Sequence, residues 1–194
     1  MFILDNGHGV DTAGKRSPIW ADGKQLMEYE FNRDITQRIA YRCKMNGIPF
    51  TLLVPEAHDI SLTERVSRAN DIYMKHPRAV VVSIHANAGG GTGYEVWTSK
   101  GKTRSDAYAD ILMEEAEREL GGEFRMRKDY ADGDTDKESQ FTILANTLCP
   151  AMLSECLFMD TERDCRFLMS EEGRERITNF HFKAIQRIWR EFPR

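Results

Sequence analysis

Short apolar runs rich in β-branched and aromatic residues alternate with helical patterns along the whole chain of 194 residues. This alternation is typical of α/β domains, in which each strand, helix and strand unit adds a parallel strand to one sheet. The sequence therefore predicts a single domain of the α/β class, with a mostly parallel central sheet of about six strands and helices on both faces. The predicted strands are Phe2 to Asp5, Phe50 to Val54, Ala79 to Ile84, Tyr94 to Thr98, Phe141 to Leu144 and Ala151 to Ser154.

The predicted helices fill the intervals between these strands. Apolar residues recur at four-residue spacing from Phe31 to Cys43, which indicates the first helix. A capping box at 61–64, Ser-Leu-Thr-Glu, predicts the start of the second helix. Helices are predicted over about 28–46, 61–76 and 104–120, directly after Asp160, and over about 171–190.

Charge and hydropathy exclude two classes of partner. Lys and Arg number 27 and Asp and Glu number 31, so the formal net charge is -4 and there is no large cationic field to neutralise a phosphate backbone. No apolar run approaches the roughly 18 residues that span a bilayer. We therefore expect no nucleic acid partner and no membrane partner. No internal repeat is visible, and residues 1–194 are predicted to form one domain.

Two stretches, 7–24 and 129–139, are predicted to be loops. The second contains Asp132, Asp134 and Asp136, but a calcium loop of the EF-hand type would require Gly at Lys137 and an acid at Ile143. The sequence therefore favours a solvated acidic loop over a calcium site. The cysteines form no Cys-x-x-Cys pair and are expected to be reduced and mostly buried; they are Cys43, Cys149, Cys156 and Cys165.

Three predicted strands are followed directly by a residue that can bind a metal or move a proton. His8 lies between two glycines just after the first strand, His85 follows the third, and Glu155 follows the last. In parallel sheets the functional groups collect beyond the carboxyl ends of the strands, so these side chains are expected to meet at one edge. A structural role remains open for each histidine taken alone, because a single histidine after a strand is more often simply hydrogen-bonded.

Helical geometry separates the two nearby carboxylates, Glu28 and Glu30. At 100° per residue, Glu28 falls about 60° from Phe31, in the middle of the apolar face, whereas Glu30 falls at about 260°. A carboxylate on an apolar face is costly unless it is paired or ligates a metal, so Glu28 is the candidate ligand. The alternative is that the helix begins one or two residues later and Glu28 is only an acid favoured near the helix N-terminus.

Two imidazoles and one carboxylate are a common ligand set for catalytic zinc, with a fourth position left for water. The sequence therefore predicts a Zn²⁺ site formed by His8, Glu28 and His85. A group that carries protons is then needed within reach, and Glu155 is the candidate. The apolar residues around Glu155 are expected to raise its pKa.

Several segments, in order along nearly the whole chain, resemble the N-acetylmuramoyl-L-alanine amidases of the Amidase_3 type, zinc enzymes that cut peptidoglycan. Residues 4–9, Leu-Asp-Asn-Gly-His-Gly, resemble the opening D-P-G-H-G of that family, and 28–32, Glu-Tyr-Glu-Phe-Asn, resemble its E-x-x-x-N. Residues 83–88 match S-I-H-A-N-A, and 141–147 with 150–159 resemble v-L-r-n-T and P-A-v-L-v-E-x-g-F. Departures from the family pattern occur at Asn6, where proline is usual, and at Met159-Asp160, where Ser-Asn is frequent.

The resemblance implies Zn²⁺ ligands at His8, Glu28 and His85 and a catalytic acid/base at Glu155. It implies hydrolysis of the amide between the lactyl group of N-acetylmuramic acid and the L-alanine of the stem peptide, with peptidoglycan or muropeptides as substrate. Asn87 and Arg127 are candidates for substrate contacts. The alternatives that remain open are another zinc peptidase or amide hydrolase, and a non-catalytic peptidoglycan-binding module of the same fold.

The resemblance also bears on organisation and setting. The motifs and the last helix account for residues 1–194 as one amidase catalytic domain, with no separate wall-binding domain. The first residues lack the basic region, apolar core and cleavage site of a secretory signal peptide. We expect the protein to be made in the cytoplasm and to act on the cell wall, either released by a partner or with a leader outside this sequence, and a phage lysin is the favoured setting.

Overall fold

A computed structural model describes residues 1–192 and contains one six-stranded sheet. The strands, in chain order, are β1 (Phe2–Asn6), β2 (Phe50–Leu52), β3 (Val80–Asn87), β4 (Glu95–Thr98), β5 (Lys137–Glu138) and β6 (Ala151–Phe158). They are arranged in the order β2-β1-β3-β6-β4-β5. All neighbouring pairs are parallel except β4 and β6, which are antiparallel. The predicted α/β class and mostly parallel sheet are confirmed.

Six helices pack on the two faces of this sheet. They are α1 (Glu28–Met45), α2 (Leu62–Lys75), α3 (Arg104–Leu120), α4 (Thr142–Ala145), α5 (Glu162–Met169) and α6 (Glu171–Glu191). Alternate residues of β1 point to opposite faces: Phe2 and Leu4 pack with α1, α3 and α6, whereas Ile3 packs with α2 and α4. Across residues 1–192, no helix is long and apolar enough to cross a membrane.

One predicted strand is wrong. Residues 141–144 form no strand; helix α4 begins at Thr142, and Ile143 and Leu144 are both buried although they are adjacent. Successive side chains of a half-exposed strand alternate between its two faces, so two adjacent buried residues suit a helical turn packed on the sheet better. A short apolar run does not distinguish a strand from a helix by its periodicity. The sixth strand is instead β5, which lies inside the loop predicted for 129–139.

The direction of β4 decides which residues lie at the functional edge of the sheet. The carboxyl ends of β1, β3 and β6 share one edge because these strands are parallel. Strand β4 runs the other way, so its first residue, Glu95, lies at that same edge directly opposite Glu155. The functional edge therefore gains a side chain from the start of a strand as well as from strand ends.

The expectation of a solvated acidic loop is wrong at Asp136. Its side chain is only 2% exposed, and its Oδ2 accepts a hydrogen bond of 2.7 Å from the hydroxyl of Thr98. Burial raises the pKa of Asp136 to about 8, and the nearby carboxylates of Asp134 and Asp106 act in the same direction. The carboxyl group is therefore held in its protonated form at neutral pH.

We expect Asp136→Asn to stabilise the protein at pH 8. An unfolded Asp titrates near pH 3.9, so between about pH 4 and pH 8 the folded chain binds one more proton than the unfolded chain. This group's contribution to stability therefore decreases as pH rises through that window, and a neutral amide avoids the loss. Thermal unfolding at pH 8 should show a Tm higher by about 2–4 °C for each kcal/mol recovered, and the difference should shrink towards pH 5.

Asp132→Asn is the matched control, because Asp132 lies in the same loop and is exposed. Its Tm should follow that of the unmodified protein at both pH values. If Asp136→Asn is no more stable than the unmodified protein at pH 8, the proposed protonation state of Asp136 is wrong.

Candidate metal centre and active site

Two imidazoles and one carboxylate converge at the carboxyl edge of the sheet. His8, Glu28 and His85 each offer one ligand atom, and these atoms lie within 4.8 Å of one another. The Oε1 atom of Glu28 is 3.3 Å from His8 Nε2 and 3.3 Å from His85 Nδ1. The two imidazole rings are nearly perpendicular, with centroids 5.0 Å apart. The side chains that lie 20 to 77 positions apart in sequence therefore form one compact set of nitrogen and oxygen donors.

The loop after β1 holds His8 in an unusual backbone conformation. His8 has a φ of 66°, a left-handed value that costs a non-glycine residue about 1 kcal/mol or more. Gly7 packs so tightly on His85 that a Cβ atom there would lie 2.1 Å from the imidazole Cε1, so only glycine fits. The amide of Asn32 donates to the carbonyl of Gly7 at 2.9 Å and ties the loop to α1.

The start of α1 places Glu28 inside and Glu30 outside. Glu28 is the first helical residue and is 1% exposed, whereas Glu30 is exposed and accepts a hydrogen bond from the hydroxyl of Tyr29. Glu28, on the apolar face of α1, therefore lies beside the two histidines. The helix begins at Glu28 itself, not one or two residues later.

The donor set fits a divalent metal ion. His8 Nε2 and Glu28 Oε2 are buried without a hydrogen-bond partner among the described residues, and buried polar atoms rarely stay unpaired. Burial opposes the ionisation of Glu28, but the imidazoles of His8 and His85, each 3.3 Å from its Oε1 atom, outweigh burial and lower the pKa of Glu28 well below the usual range. An ionised carboxylate beside two imidazoles is the ligand chemistry that zinc prefers.

Glu155 lies next to this donor set. It pairs in register with His85 across β3 and β6, and both line a cleft of about 550 Å³ together with His8. Strands β3 and β6 run on beyond the predicted ends, so His85 and Glu155 lie within strands and are held rigidly. Burial raises the pKa of Glu155 to about 7, partly offset by the charge of His85. A carboxyl group with such a pKa can both accept and release a proton near neutral pH.

A buried arginine that the sequence patterns did not single out supports the His8 loop. Arg65 of α2 donates to Asp5 at 2.5 Å, to the carbonyl of Asn6 and to Asp59. Asp5 also accepts from the hydroxyl of Ser83 at 2.6 Å. Since Asp5 and Asn6 lead directly into the loop, this network fixes the direction in which it leaves β1.

The two candidate substrate residues, Asn87 and Arg127, both contact Glu95, a carboxylate that the sequence does not predict at this site. Asn87 donates to Glu95 at 2.5 Å, and Arg127 donates to the other oxygen of Glu95 at 2.7 Å. Lys137 reaches that same oxygen at 2.6 Å. The sequence does not predict Glu95 or Lys137 at this site, because Glu95 begins a strand instead of following one and Lys137 lies in a segment predicted to be a loop.

Comparisons with known proteins identify the family. The Amidase_3 family, described as N-acetylmuramoyl-L-alanine amidase, matches residues 2–187. The N-acetylmuramoyl-L-alanine amidase CwlM of Bacillus licheniformis is 28% identical over 189 residues, which cover 97% of this chain and 68% of the relative. The sporulation-specific N-acetylmuramoyl-L-alanine amidase of Bacillus subtilis strain 168 is 26% identical over 192 residues, with the same coverage.

Solved structures show the same fold. An N-acetylmuramoyl-L-alanine amidase from Clostridium difficile 630 superposes with a TM-score of 0.80 at 23% identity, covering 96% of this chain and 95% of that one. The catalytic domain of the CD27L endolysin, which targets Clostridia difficile, gives a TM-score of 0.67 at 19% identity and covers 95% and 96% of the two chains. On the family match over residues 2–187, the chain belongs to the Amidase_3 family and is an N-acetylmuramoyl-L-alanine amidase.

Proposed function

We propose that this chain is a zinc-dependent amidase that hydrolyses the amide between the lactyl group of N-acetylmuramic acid and the L-alanine of the stem peptide. The observation that supports this most directly is the convergence of His8, Glu28 and His85, with Glu155 in register beside His85. Membership of the Amidase_3 family supplies the substrate class. We further propose that residues 1–194 act as one catalytic domain.

In this proposal, His8, Glu28 and His85 hold the zinc ion. Zinc in such a site activates water at neutral pH and polarises a carbonyl oxygen. Glu28 would supply the negative charge, and His85 is held in place because it lies within β3. The glycines on either side of His8 let the loop pack closely against its neighbours. Gly7 packs on the imidazole of His85, and Gly9 packs equally tightly on the backbone of Asp59.

Glu155 carries the proton. As a carboxylate it takes a proton from the attacking water, and as a carboxylic acid it returns that proton to the L-alanine nitrogen as the amide bond breaks. Its Oε2 is buried without a hydrogen-bond partner among the described residues, so one oxygen is free for this exchange. Asn87 and Arg127 are proposed to contact the substrate beside Glu155.

The experiment that tests the substrate is a product analysis. Purified peptidoglycan is digested with the zinc-loaded protein, and new amino termini are labelled and identified. We expect L-alanine as the new terminus, together with muramic acid whose lactyl carboxylate is free. A different new terminus would indicate a zinc peptidase that cuts another bond. Binding without any new terminus would indicate a non-catalytic wall-binding module.

The biological setting stays a prediction. We propose action on the cell wall, with a phage lysin as one setting that the product analysis leaves open. Proteins of this fold include both bacterial amidases and an endolysin catalytic domain, so the fold alone is compatible with either.

A further inference from the structure

A charged cluster lies beside Glu155 at the functional edge of the sheet. Glu95 stands opposite Glu155 in the antiparallel pairing of β4 with β6, so their side chains share one face of the sheet. Glu95 is only 3% exposed. A second buried carboxylate next to a proton carrier is costly unless cations compensate it.

Two cations provide this compensation. Arg127 Nε and Lys137 Nζ both donate to Oε2 of Glu95, at 2.7 and 2.6 Å. Oε1 of Glu95 accepts the amide of Asn87. Both cations also lie over aromatic rings, Arg127 at 5.0 Å from the centroid of Phe158 and Lys137 at 5.1 Å from that of Trp97. Salt bridges and ring faces together fix the direction of both cationic side chains.

The cluster has more positive charge and more donors than its own carboxylate uses. One carboxylate faces two cations, and among residues 1–192 no second acid pairs with Arg127 or Lys137. The Nη atoms of Arg127 donate no hydrogen bond to any described residue. The Arg127 side chain is 28% exposed and that of Lys137 is 20% exposed. A forked donor and a point charge thus remain accessible beside the proton carrier.

We propose that Arg127 and Lys137, held in place by Glu95, bind a free carboxylate on the stem peptide of the substrate. This inference rests on the proposed amidase function. A planar guanidinium fork with unused Nη donors matches a carboxylate geometrically, and the ammonium adds charge. Glu95 is a positioning residue here, because it touches the two cations and not the substrate.

Distance identifies which carboxylate is in reach. Neighbouring strands are about 4.8 Å apart, so Glu95 on β4 and Lys137 on β5 lie about 5–10 Å from Glu155 on β6. Arg127 donates to the same oxygen of Glu95 as Lys137 does. An extended peptide advances about 3.3–3.6 Å per residue. The carboxylate is therefore on the first or second residue after L-alanine.

The test uses two muramyl tripeptides that differ in one group. Their second residue is a γ-linked glutamate with its α-carboxylate either free or converted to a carboxamide. Charge-assisted hydrogen bonds contribute about 1.5–3 kcal/mol, so we expect the unmodified enzyme to prefer the free carboxylate by about tenfold or more in kcat/KM, mainly through KM. In Arg127→Gln combined with Lys137→Gln, this preference should fall to about twofold or less. Turnover of both substrates should also fall, because Glu95 loses both of its cations, so the readout is the ratio of the two kcat/KM values.

Two further variants serve as controls. Arg163→Gln removes an arginine that also lies 5.0 Å from a ring centroid, that of Phe124, but does not contact Glu95; it should keep the full preference. Lys137→Arg keeps the positive charge beside Glu95 and should retain most of the preference for the free carboxylate. Equal kcat/KM for both substrates in the unmodified enzyme, or an equal loss on both in the double variant, would overturn the carboxylate subsite and leave the amidase proposal standing. If the unmodified enzyme cleaves neither substrate, both the carboxylate subsite and the amidase proposal are wrong.

Discussion

Replacing Glu155 with glutamine is expected to lower kcat on muropeptides by about 10²–10⁴-fold, the usual contribution of a positioned acid/base group. Glutamine has nearly the same shape, so strand β6 and its pairing with His85 should persist. It cannot, however, accept a proton from water and return it to the departing nitrogen. Kinetics on a muropeptide, with zinc content measured on the same sample, checks the result.

The zinc content is what makes this experiment specific. His8, Glu28 and His85 are unchanged in the variant, so one zinc per chain should remain while turnover disappears. Glu138→Gln serves as the control, since Glu138 lies on β5 and accepts a hydrogen bond from Gly101 away from the donor set; its activity should stay within about twofold. Retained activity in the Glu155 variant would remove Glu155 from its proposed role.

The second large effect is expected at Glu28. In Glu28→Gln, zinc affinity should fall by more than the roughly 10–100-fold that loss of an outer hydrogen-bond partner costs a metal site. The reason is that the neutral amide removes the only negative charge among the three donors and is a poor zinc ligand. Dialysis against a competing chelator, followed by metal analysis, measures the change.

The chain provides its own matched control two residues away. Glu30 lies on the same turn of α1 but faces solvent, so Glu30→Gln should bind zinc like the unmodified protein. If both variants keep zinc equally well, or if Glu30→Gln loses it, the assignment of Glu28 as a ligand is wrong. Unfolding curves for both variants show whether any loss of metal follows from loss of the fold.

Much of the fold could be predicted because local patterns report local structure. The four-residue spacing in α1 and the Ser61 cap of α2 gave helices close to their observed bounds. The strand predicted for 141–144 is wrong because a run of four residues with three apolar side chains suits a strand or a helical turn equally well. The strand β5 has only two residues, too few to produce a detectable pattern.

The candidate donor set was also visible in the sequence. His8 and His85 follow apolar runs that enter the sheet as parallel neighbours, and Glu28 lies on the apolar face of an amphipathic helix. Each of these signals depends on only a few adjacent residues and on the rule that parallel strands end at one edge. Their role as zinc ligands stays a prediction until metal is measured.

What the sequence determined by itself was the α/β class, the helix faces and the residue types at the strand ends. Only the tertiary structure decided that β4 runs antiparallel to β6, which places Glu95 with its two cations beside Glu155. Only the tertiary structure decided that Asp136 is buried, in a segment that the sequence predicts to be a solvated acidic loop. The physical reason is the same in both cases: periodicity reports which side of an element is apolar, whereas strand direction and the burial of a polar side chain depend on contacts between segments far apart in the chain.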